Sequence, residues 1–299
     1  MGNIAPVTMT WRQKVVRNAK SKGIKMISVN TNIGAMAAIQ NLASTNRDLQ
    51  ITQNAISTGK KVASAKDNGA IWSIANKMTA DVMAYGRVRE SNERAGAILD
   101  TAIAASESIM ELLNEMKGKA LAATQPGLSA ASQAALAADF AQMRDQITNV
   151  VANASFDGAN MVGATPASAI SLGDAAGGNN ITIAGANLSL AGTVVTVTAT
   201  SAVDTAVNAA TALGLVNASI TNLGTQMATW GAGSKRLDVH REFVSKLSDA
   251  LNTGIGAITD ADLSKESAKL QSLQVKQQLG IQALSIANSS AQSALSLFR

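Results

Sequence analysis

The chain has 299 residues, of which 46% are hydrophobic but only 3% aromatic. Its apolar content is therefore mainly small and medium aliphatic side chains, which argues against wholesale disorder and favours close-packed helices. No stretch approaches the roughly 20 consecutive apolar residues of a membrane span. Cysteine is absent, which excludes disulfides and thiolate metal ligands. We expect a soluble chain without membrane insertion.

The formal net charge of +5 is unevenly distributed. Residues 1–25 carry six basic side chains and no acidic one, which leaves 19 basic against 20 acidic residues in the remainder. A nearly neutral body does not favour nucleic acid as a partner. The six basic residues are Arg12, Lys14, Arg17, Lys20, Lys22 and Lys25.

This basic lead has no apolar core of the kind that a secretory signal peptide needs. Three interpretations remain: a disordered arm, a tail that contacts a membrane or polyanion, or a segment absent from the native protein. We favour the last interpretation, because the segment that starts at Met26 has the character of a native N-terminus.

Four segments carry the periodicity of helices that pack along a seam. In the first, Leu42, Leu49 and Ile56 repeat every seven residues, with Ile39 on the same face. The other three alternate steps of three and four residues, as bundle helices do. Their seams are Ala95, Leu99, Ala102, Ser106, Ile109, Leu113, Met116 and Ala120; Leu136, Phe140, Met143, Ile147, Val150 and Ala154; and Val216, Ile220, Leu223, Met227, Trp230, Ser234, Leu237, Val244, Leu247 and Leu251.

Turn residues separate these helices. Gln125-Pro126-Gly127 ends the second helix, and Ser129 is a suitable N-cap for the third. Phe156-Asp157-Gly158 predicts a turn after it. Residues 161–200 are then rich in Gly, Ala, Thr and Asn, and the β-branched runs at 181–183 and 194–198 predict short strands.

A final helix is predicted to begin around Asp260–Leu263, with Asp260 or Asp262 as its N-cap. The predicted fold is mainly α: a long-helix bundle or coiled coil formed by pairing of the N- and C-terminal halves, with a small central β-rich insert. Because isolated helices are marginally stable, the terminal helices need each other or neighbouring subunits. The final helix carries Leu263, Leu270, Leu273, Leu284, Ala287, Ala291 and Leu295.

No group of residues predicts catalysis. His240 is the only histidine, so neither a two-histidine zinc motif nor a Ser-His-Asp triad is available, and we predict a structural role for it. The segment after Asp260 lacks the glycine that a calcium loop needs at its sixth position. We expect no enzyme activity, no cofactor and no metal. A solvated or intersubunit ion-pair face is predicted from Arg87, Arg89, Glu90, Glu93 and Arg94.

Motifs at both ends of the chain resemble those of bacterial flagellins. Residues 27–32 (ISVNTN) are similar to the opening of that family, and residues 56–75 resemble its SSG.R…A.DDAAG..IA pattern. Ala154–Gly158 looks like the family's T.FNG turn, and 260–299 is similar to its C-terminal pattern with Gln277-Gln278 and Ala287-Asn288. The resemblance covers about 26–160 and 210–299, in the correct order.

This resemblance implies an architecture. Residues 26–59 with 263–299 would form a coiled coil lining a tubular filament, 60–160 with 201–262 a helical bundle, and 161–200 a small surface insert. The assembly residues of the terminal helices would be Leu42, Leu49, Ile56, Leu270, Leu273, Leu284 and Leu295. The bundle seam would be Leu99, Ile109, Leu113, Phe140, Ile147, Ile220, Leu223 and Trp230.

The resemblance also implies partners and a location. The chain would polymerise with itself into an extracellular flagellar filament used for motility. It would leave the cell through a type III export apparatus without a cleaved signal, escorted by a chaperone, and would meet the junction and cap proteins of the flagellum. Residues 113–121 depart from the family's LQR.RELAVQ stretch at Glu115 and Gly118, so recognition by an innate immune receptor is not implied.

Two alternatives stay open. A flagellin-like surface protein could bind an acidic ligand such as a polysaccharide through the basic lead and the cations of the bundle. A hook–filament junction protein would share the same terminal motifs.

If the basic lead were present in the mature protein, many copies of it in the inner tube of the filament would repel one another.

Overall fold

The computed structural model describes residues 31–296, with side chains as far as residue 289. Residues 1–30, which include the basic lead and the first four residues of the motif at 27–32, lie outside it, as do residues 297–299 and the side chain of Leu295. The predicted fold class is confirmed. The described residues form helices α1 (Ile33–Thr58), α2 (Gly69–Ala123), α3 (Ala130–Asn153), α4 (Ala206–Thr259) and α5 (Leu263–Ser296), and strands β1 (Ala169–Ser171) and β2 (Ile181–Ile183).

These elements divide between two compact units. Residues 31–72 with 259–296 form the terminal unit, in which α1 packs against α5. Residues 73–258 form the bundle unit. The predicted separation of the insert 161–200 from the bundle stays a prediction.

The ends of the helices follow their local chemistry. The side chain of Asn32 caps α1 by accepting a hydrogen bond from the Ala35 N–H at 3.0 Å, and Gly59 ends the helix in the left-handed conformation, φ 69°. Ser129 caps α3, as predicted, by accepting from Ser132 N–H at 3.1 Å. Asp262 caps α5, accepting from the N–H groups of Ser264 and Lys265.

One hydrophobic core fills the bundle unit, and the insert contributes to it. Leu99, Phe140 and Trp230 are fully buried, one from each long helix of the unit. Leu188 and Val197 from the insert are equally buried in the same cluster. The insert therefore contributes buried side chains to the core that the helices share.

The strands of the insert differ from the prediction. β2 forms at the predicted place and pairs antiparallel with β1, which the sequence did not indicate. The predicted strand at 194–198 is wrong, because the backbone there is irregular. Thr196 instead donates its N–H to Ser219 Oγ at 2.9 Å and its hydroxyl to Leu215 O at 3.0 Å, both on α4. The β-branched run reflects burial against a helix, not pairing with a strand.

The turn predicted at 156–158 is present. Phe156 and Ala159 exchange backbone hydrogen bonds of 3.0 and 2.9 Å, while Asp157 and Gly158 both have positive φ. Arg94 on α2 binds the Asp157 carboxylate at 2.7 Å and fastens this turn to the bundle. Within residues 31–296, no helix is long and apolar enough to cross a membrane.

Candidate functional site

The contact between α1 and α5 follows one seam along both helices. Positions with reduced exposure recur at alternating steps of three and four residues on each helix, which is the spacing of coiled-coil packing. Leu42, Leu49 and Ile56 occupy this seam on α1, and Leu270, Leu273 and Leu284 on α5. The positions that follow this spacing are Ala35, Ala38, Leu42, Thr45, Leu49, Thr52 and Ile56, and Glu266, Leu270, Leu273, Gln277, Gly280, Leu284 and Ala287.

Polar contacts set the antiparallel register of this pair. Asn32 Nδ2 donates to the Ala287 carbonyl at 2.7 Å, near the start of α1. Gln277 Nε2 donates to Asn46 Oδ1 at 2.8 Å, near the middle. Both pairs hold only when the helices keep this alignment, since a shift by one turn would separate the partners by about 5 Å.

A short bridge closes the other end of the pair. Lys60 and Asp260 form an isolated antiparallel β-bridge. Lys61 N–H donates to Thr259 O at 2.7 Å, and Ala261 N–H donates to Gly59 O at 2.9 Å. The chain segments that follow α1 and precede α5 are thus tied together by their backbones.

Sequence reasoning missed part of the seam and placed one residue wrongly. Ile39, expected on the face of Leu42, is 53% exposed because the seam continues through Ala38 instead. Gln277 and Gly280 were missed because they are not apolar. The continued alternation of three and four residues from Leu273 to Leu284 is the signal that locates them.

The outward faces of both terminal helices carry large apolar side chains. On α1, Met36 is 56% and Ile51 58% exposed; on α5, Leu279 is 62% and Ile286 64% exposed. An amphipathic helix in a monomer normally turns such residues inward, and a contiguous exposed apolar surface marks a contact region. The full set is Ile33, Met36, Ile39 and Ile51 on α1, and Leu263, Val275, Leu279, Ile281 and Ile286 on α5.

The predicted bundle seam lies in the core of the bundle unit. Ile220 is the exception to complete burial, since it is partly buried and packs against the cluster. Trp230 also donates its indole N–H to Ala184 O at 2.9 Å and so ties α4 to the insert. The fully buried members are Leu99, Ile109, Leu113, Phe140, Ile147, Leu223 and Trp230.

Several charged residues form exposed ion pairs on the helix faces. Arg87 binds Glu90 at 2.8 Å, and Arg89 lies 3.9 Å from Glu93, on the face predicted for such pairs. The hydrogen bond from Lys246, together with its charge, lowers the pKa of Glu242 below its ordinary value. Pairs this exposed are screened by solvent, so they shape the surface more than they stabilise the fold.

The remaining candidate residues occupy structural positions. His240 is partly buried, and its ring lies 6.4 Å from that of Phe243. Asp67 accepts the N–H groups of Ala63 and Ser64; these bonds, the Ser64 N–H foremost, lower the pKa of its carboxyl. In the part of the chain that the structure describes, no three His, Cys, Asp or Glu side chains are grouped to hold a metal ion.

Two long paired helices with exposed apolar faces, and a helical bundle with one hydrophobic core, are features of a structural protein. Residues 29–165 match the bacterial flagellin N-terminal helical region, and residues 213–298 match the bacterial flagellin C-terminal helical region. The chain belongs to the bacterial flagellin family, and it is a structural subunit of the extracellular flagellar filament into which flagellins self-polymerise.

Curated relatives support this assignment over nearly their whole length. Flagellin FljM of Caulobacter vibrioides is 47% identical over 278 residues, covering 91% of this chain and 98% of the relative. A flagellin of Brucella melitensis biotype 1 is 38% identical over 285 residues, covering 92% and 100%. A crystal structure of Bacillus cereus flagellin aligns with a TM-score of 0.44 at 19% identity, covering 52% of this chain and 88% of that one.

Proposed function

We propose that this subunit polymerises through α1 and α5, and that the outward apolar faces of these helices contact neighbouring copies. The observation that carries the proposal is the exposure of nine large apolar side chains on the two helices. Burying one such side chain contributes about 1.5–3 kcal/mol. A filament that covers these faces is therefore more stable than the isolated helix pairs from which it forms.

The small number of buried residues between α1 and α5 supports the same proposal. On α1, only Ala35, Thr52 and Ala55 are buried, and the Thr52 hydroxyl has no hydrogen-bond partner. A buried unpaired hydroxyl costs about 1–3 kcal/mol. The seam residues Leu42, Leu49, Ile56, Leu270, Leu273 and Leu284 keep the helices paired, while the outer faces supply the contacts between subunits.

The same surface supports a proposal about the export partners. An α5 helix with exposed Leu279, Ile281 and Ile286 needs a cover before assembly, because such faces aggregate. A chaperone bound to α5 supplies that cover, and the chain then leaves through the type III apparatus without a cleaved signal. Chaperone protection of α5 amides against hydrogen exchange tests this step, and protection of α2 alone contradicts it.

We infer that the subunit acts without catalysis. A cleft of about 660 Å³ beside α4 offers no group for such chemistry. Amides, hydroxyls and aliphatic groups line it, and none of its lining side chains is titratable. General acid–base and nucleophilic chemistry both need such a group. The cleft is lined by Ala164, Pro166, Gly185, Ala186, Asn187, Thr193, Val194, Asn222, Thr225 and Gln226.

Polymerisation of the full chain from short filament seeds tests the main proposal. The variant Leu279→Gln/Ile286→Gln removes two outward apolar side chains of α5. We expect it to stay monomeric at concentrations where the wild-type chain forms tubes visible by negative-stain microscopy. Circular dichroism checks that the bundle unit remains folded.

The matched control is Leu121→Gln/Val207→Gln, which changes two other exposed apolar residues, 56% and 77%, at helical positions of the bundle unit. We expect this variant to polymerise. The proposal fails if the α5 variant polymerises as the wild type does, or if the control loses assembly to the same degree.

A further inference from the structure

The solvent face of α2 carries a run of carboxylates. Asp100, Glu107, Glu111 and Glu115 are all exposed. At 100° per residue they fall within one narrow sector, opposite the buried positions Leu99, Ile109 and Leu113. We call these four residues the acidic face of α2.

No cation in the described part of the chain pairs with this face. None of its four carboxylates takes part in an ion pair there. Lys119 lies nearby along α2 but binds Asp139 on α3. Glu107, Glu111 and Glu115 follow one another at i,i+4, where like charges destabilise a helix. The isolated subunit therefore carries a repulsion that an external cation would relieve.

Two unpaired cations lie on the solvent face of α4, whose neighbouring carboxylates Asp238 and Glu242 pair with Arg241 and Lys246. Lys235 and Arg236 are exposed, and neither makes an ion pair within residues 31–296. Val239 and Phe243, which are 60% and 57% exposed, continue the same face at helical spacing. We call these four residues the basic face of α4.

Two contacts fix the relative level of the helices within the bundle unit. Asn92 Nδ2 on α2 donates to Leu237 O on α4 at 3.0 Å. A methyl group on Gly254 would lie 3.0 Å from Met78 Cε, so the helices run antiparallel. Lys235 and Arg236 directly precede Leu237, so they lie at the same height along the bundle axis as Asn92 on α2.

The acidic face begins beyond that level. Its centre is about 20 Å further along α2, at 1.5 Å per residue. The acidic and basic faces also lie on the outward sides of different helices. One subunit therefore cannot pair them with each other, whereas a second copy shifted along the bundle axis can.

We propose that the acidic face of α2 in one subunit contacts the basic face of α4 in a neighbouring subunit, displaced by about 20 Å along the bundle. The occupant of each face is a second copy of this chain. This contact rests on the proposed polymerisation. It gives the bundle unit a charged contact of its own, in addition to the apolar contacts proposed for α1 and α5. Such complementarity selects the orientation and register in which subunits add.

Charge reversal on each face tests the contact. Glu107→Lys/Glu111→Lys reverses the acidic face, and Lys235→Glu/Arg236→Glu reverses the basic face. All four positions are exposed, so circular dichroism of the monomers should match the wild type. We expect the critical concentration for seeded polymerisation of the full chain to rise at least about tenfold in either variant, since like charges meet at the contact.

Complementation separates this contact from a general loss of assembly. An equimolar mixture of the two variants, and a chain that carries all four reversals, should both recover to within about threefold of the wild-type critical concentration, because opposite charges face each other again. The contact is overturned if either reversal assembles as the wild type does, or if neither combination recovers. Failure of the wild-type chain itself to polymerise would instead overturn the proposed function and this contact with it.

Discussion

Trp230 connects the helical bundle to the insert through both packing and a hydrogen bond. Its side chain is fully buried, and its indole N–H donates to Ala184 O at 2.9 Å. In Trp230→Phe the carbonyl loses this donor and a small void remains. We expect a loss of about 1–3 kcal/mol in the free energy of unfolding of the bundle unit, measured by urea denaturation of monomers followed by circular dichroism.

Trp72 provides the matched control, because it is 40% exposed. Trp72→Phe should change the free energy of unfolding by no more than about 0.5 kcal/mol. Equal effects of the two substitutions would show that the bond to Ala184 does not hold the insert in place.

Asp67 organises the turn before α2 through its charge. Its carboxylate accepts the N–H groups of Ser64 at 2.9 Å and Ala63 at 3.1 Å, and these bonds lower its pKa in the folded chain. Because the folded pKa lies below the unfolded one, the contribution to stability is present above the unfolded pKa, about 3.9. It is lost as the pH falls through the folded pKa.

A carbon-detected NMR titration measures this effect. We expect the Asp67 carboxyl in the full chain to titrate at a lower pH than in an unstructured peptide of residues 60–70. In Ser64→Ala the carboxylate loses the hydroxyl bond of 3.1 Å but keeps the backbone bonds, so the titration should move only part of the way back. Identical titration in chain and peptide would show that the turn is not held by this carboxylate.

The helices could be predicted because residues that are close together in the sequence determine where they begin, where they end and which face is buried. Ser129 and Asp262 cap helices where the sequence indicated, and the spacing of Leu99, Ile109 and Leu113 alone identifies a buried face. β1 could not be predicted, since Ala169–Ser171 has no strong strand propensity and exists by pairing with β2. The irregular path of 194–198 likewise depends on partners on α4 that are distant in sequence.

The candidate assembly region was predictable only in part. The leucines of the α1 and α5 seams stand out by their spacing, but the register between the helices depends on Gln277 and Asn46, whose hydrogen bond spans 231 positions. No local pattern encodes such a contact. The outward apolar residues were not singled out because an exposed isoleucine and a buried one look alike in sequence.

Gly280 sets how closely α1 and α5 approach. A Cβ atom at this position would lie 3.3 Å from Leu42 Cδ1, and the branches of valine would come closer still. We therefore expect Gly280→Val to separate the pair locally and to raise the hydrogen-exchange rate of amides around positions 42 and 280. The measurement is hydrogen–deuterium exchange by mass spectrometry on the full chain.

A double substitution identifies the cause. Leu42→Ala removes the contacting methyl groups, so Gly280→Val/Leu42→Ala should exchange more slowly in this region than Gly280→Val alone. Gly86→Val is the steric control, since a Cβ there meets nothing within 4 Å. Faster exchange in the double variant would show that the packing of Leu42, rather than a clash between Leu42 and the valine, decides the effect.

The two compact units differ in how much apolar surface they bury. The bundle unit has a core drawn from three long helices and the insert, whereas α1 buries only three residues and α5 only Leu273 among the described apolar side chains. Local opening has a free energy that follows such packing. We expect the amides of α1 and α5 in the monomer to exchange at least about a hundredfold faster than those in the centre of α2.

Polymerisation should reverse this difference, because the outward apolar faces of α1 and α5 become covered and helices of marginal stability gain tertiary contacts. Exchange measured on monomers and on sedimented filaments should show α1 and α5 slowing strongly, while the centre of α2 changes little. The deletion of residues 263–296 should leave the α2 amides protected and the chain monomeric. Equal protection of α1 and α2 in the monomer would mean that the terminal pair is stable alone, and the exposed residues such as Leu279 and Ile286 would then need another explanation than subunit contact.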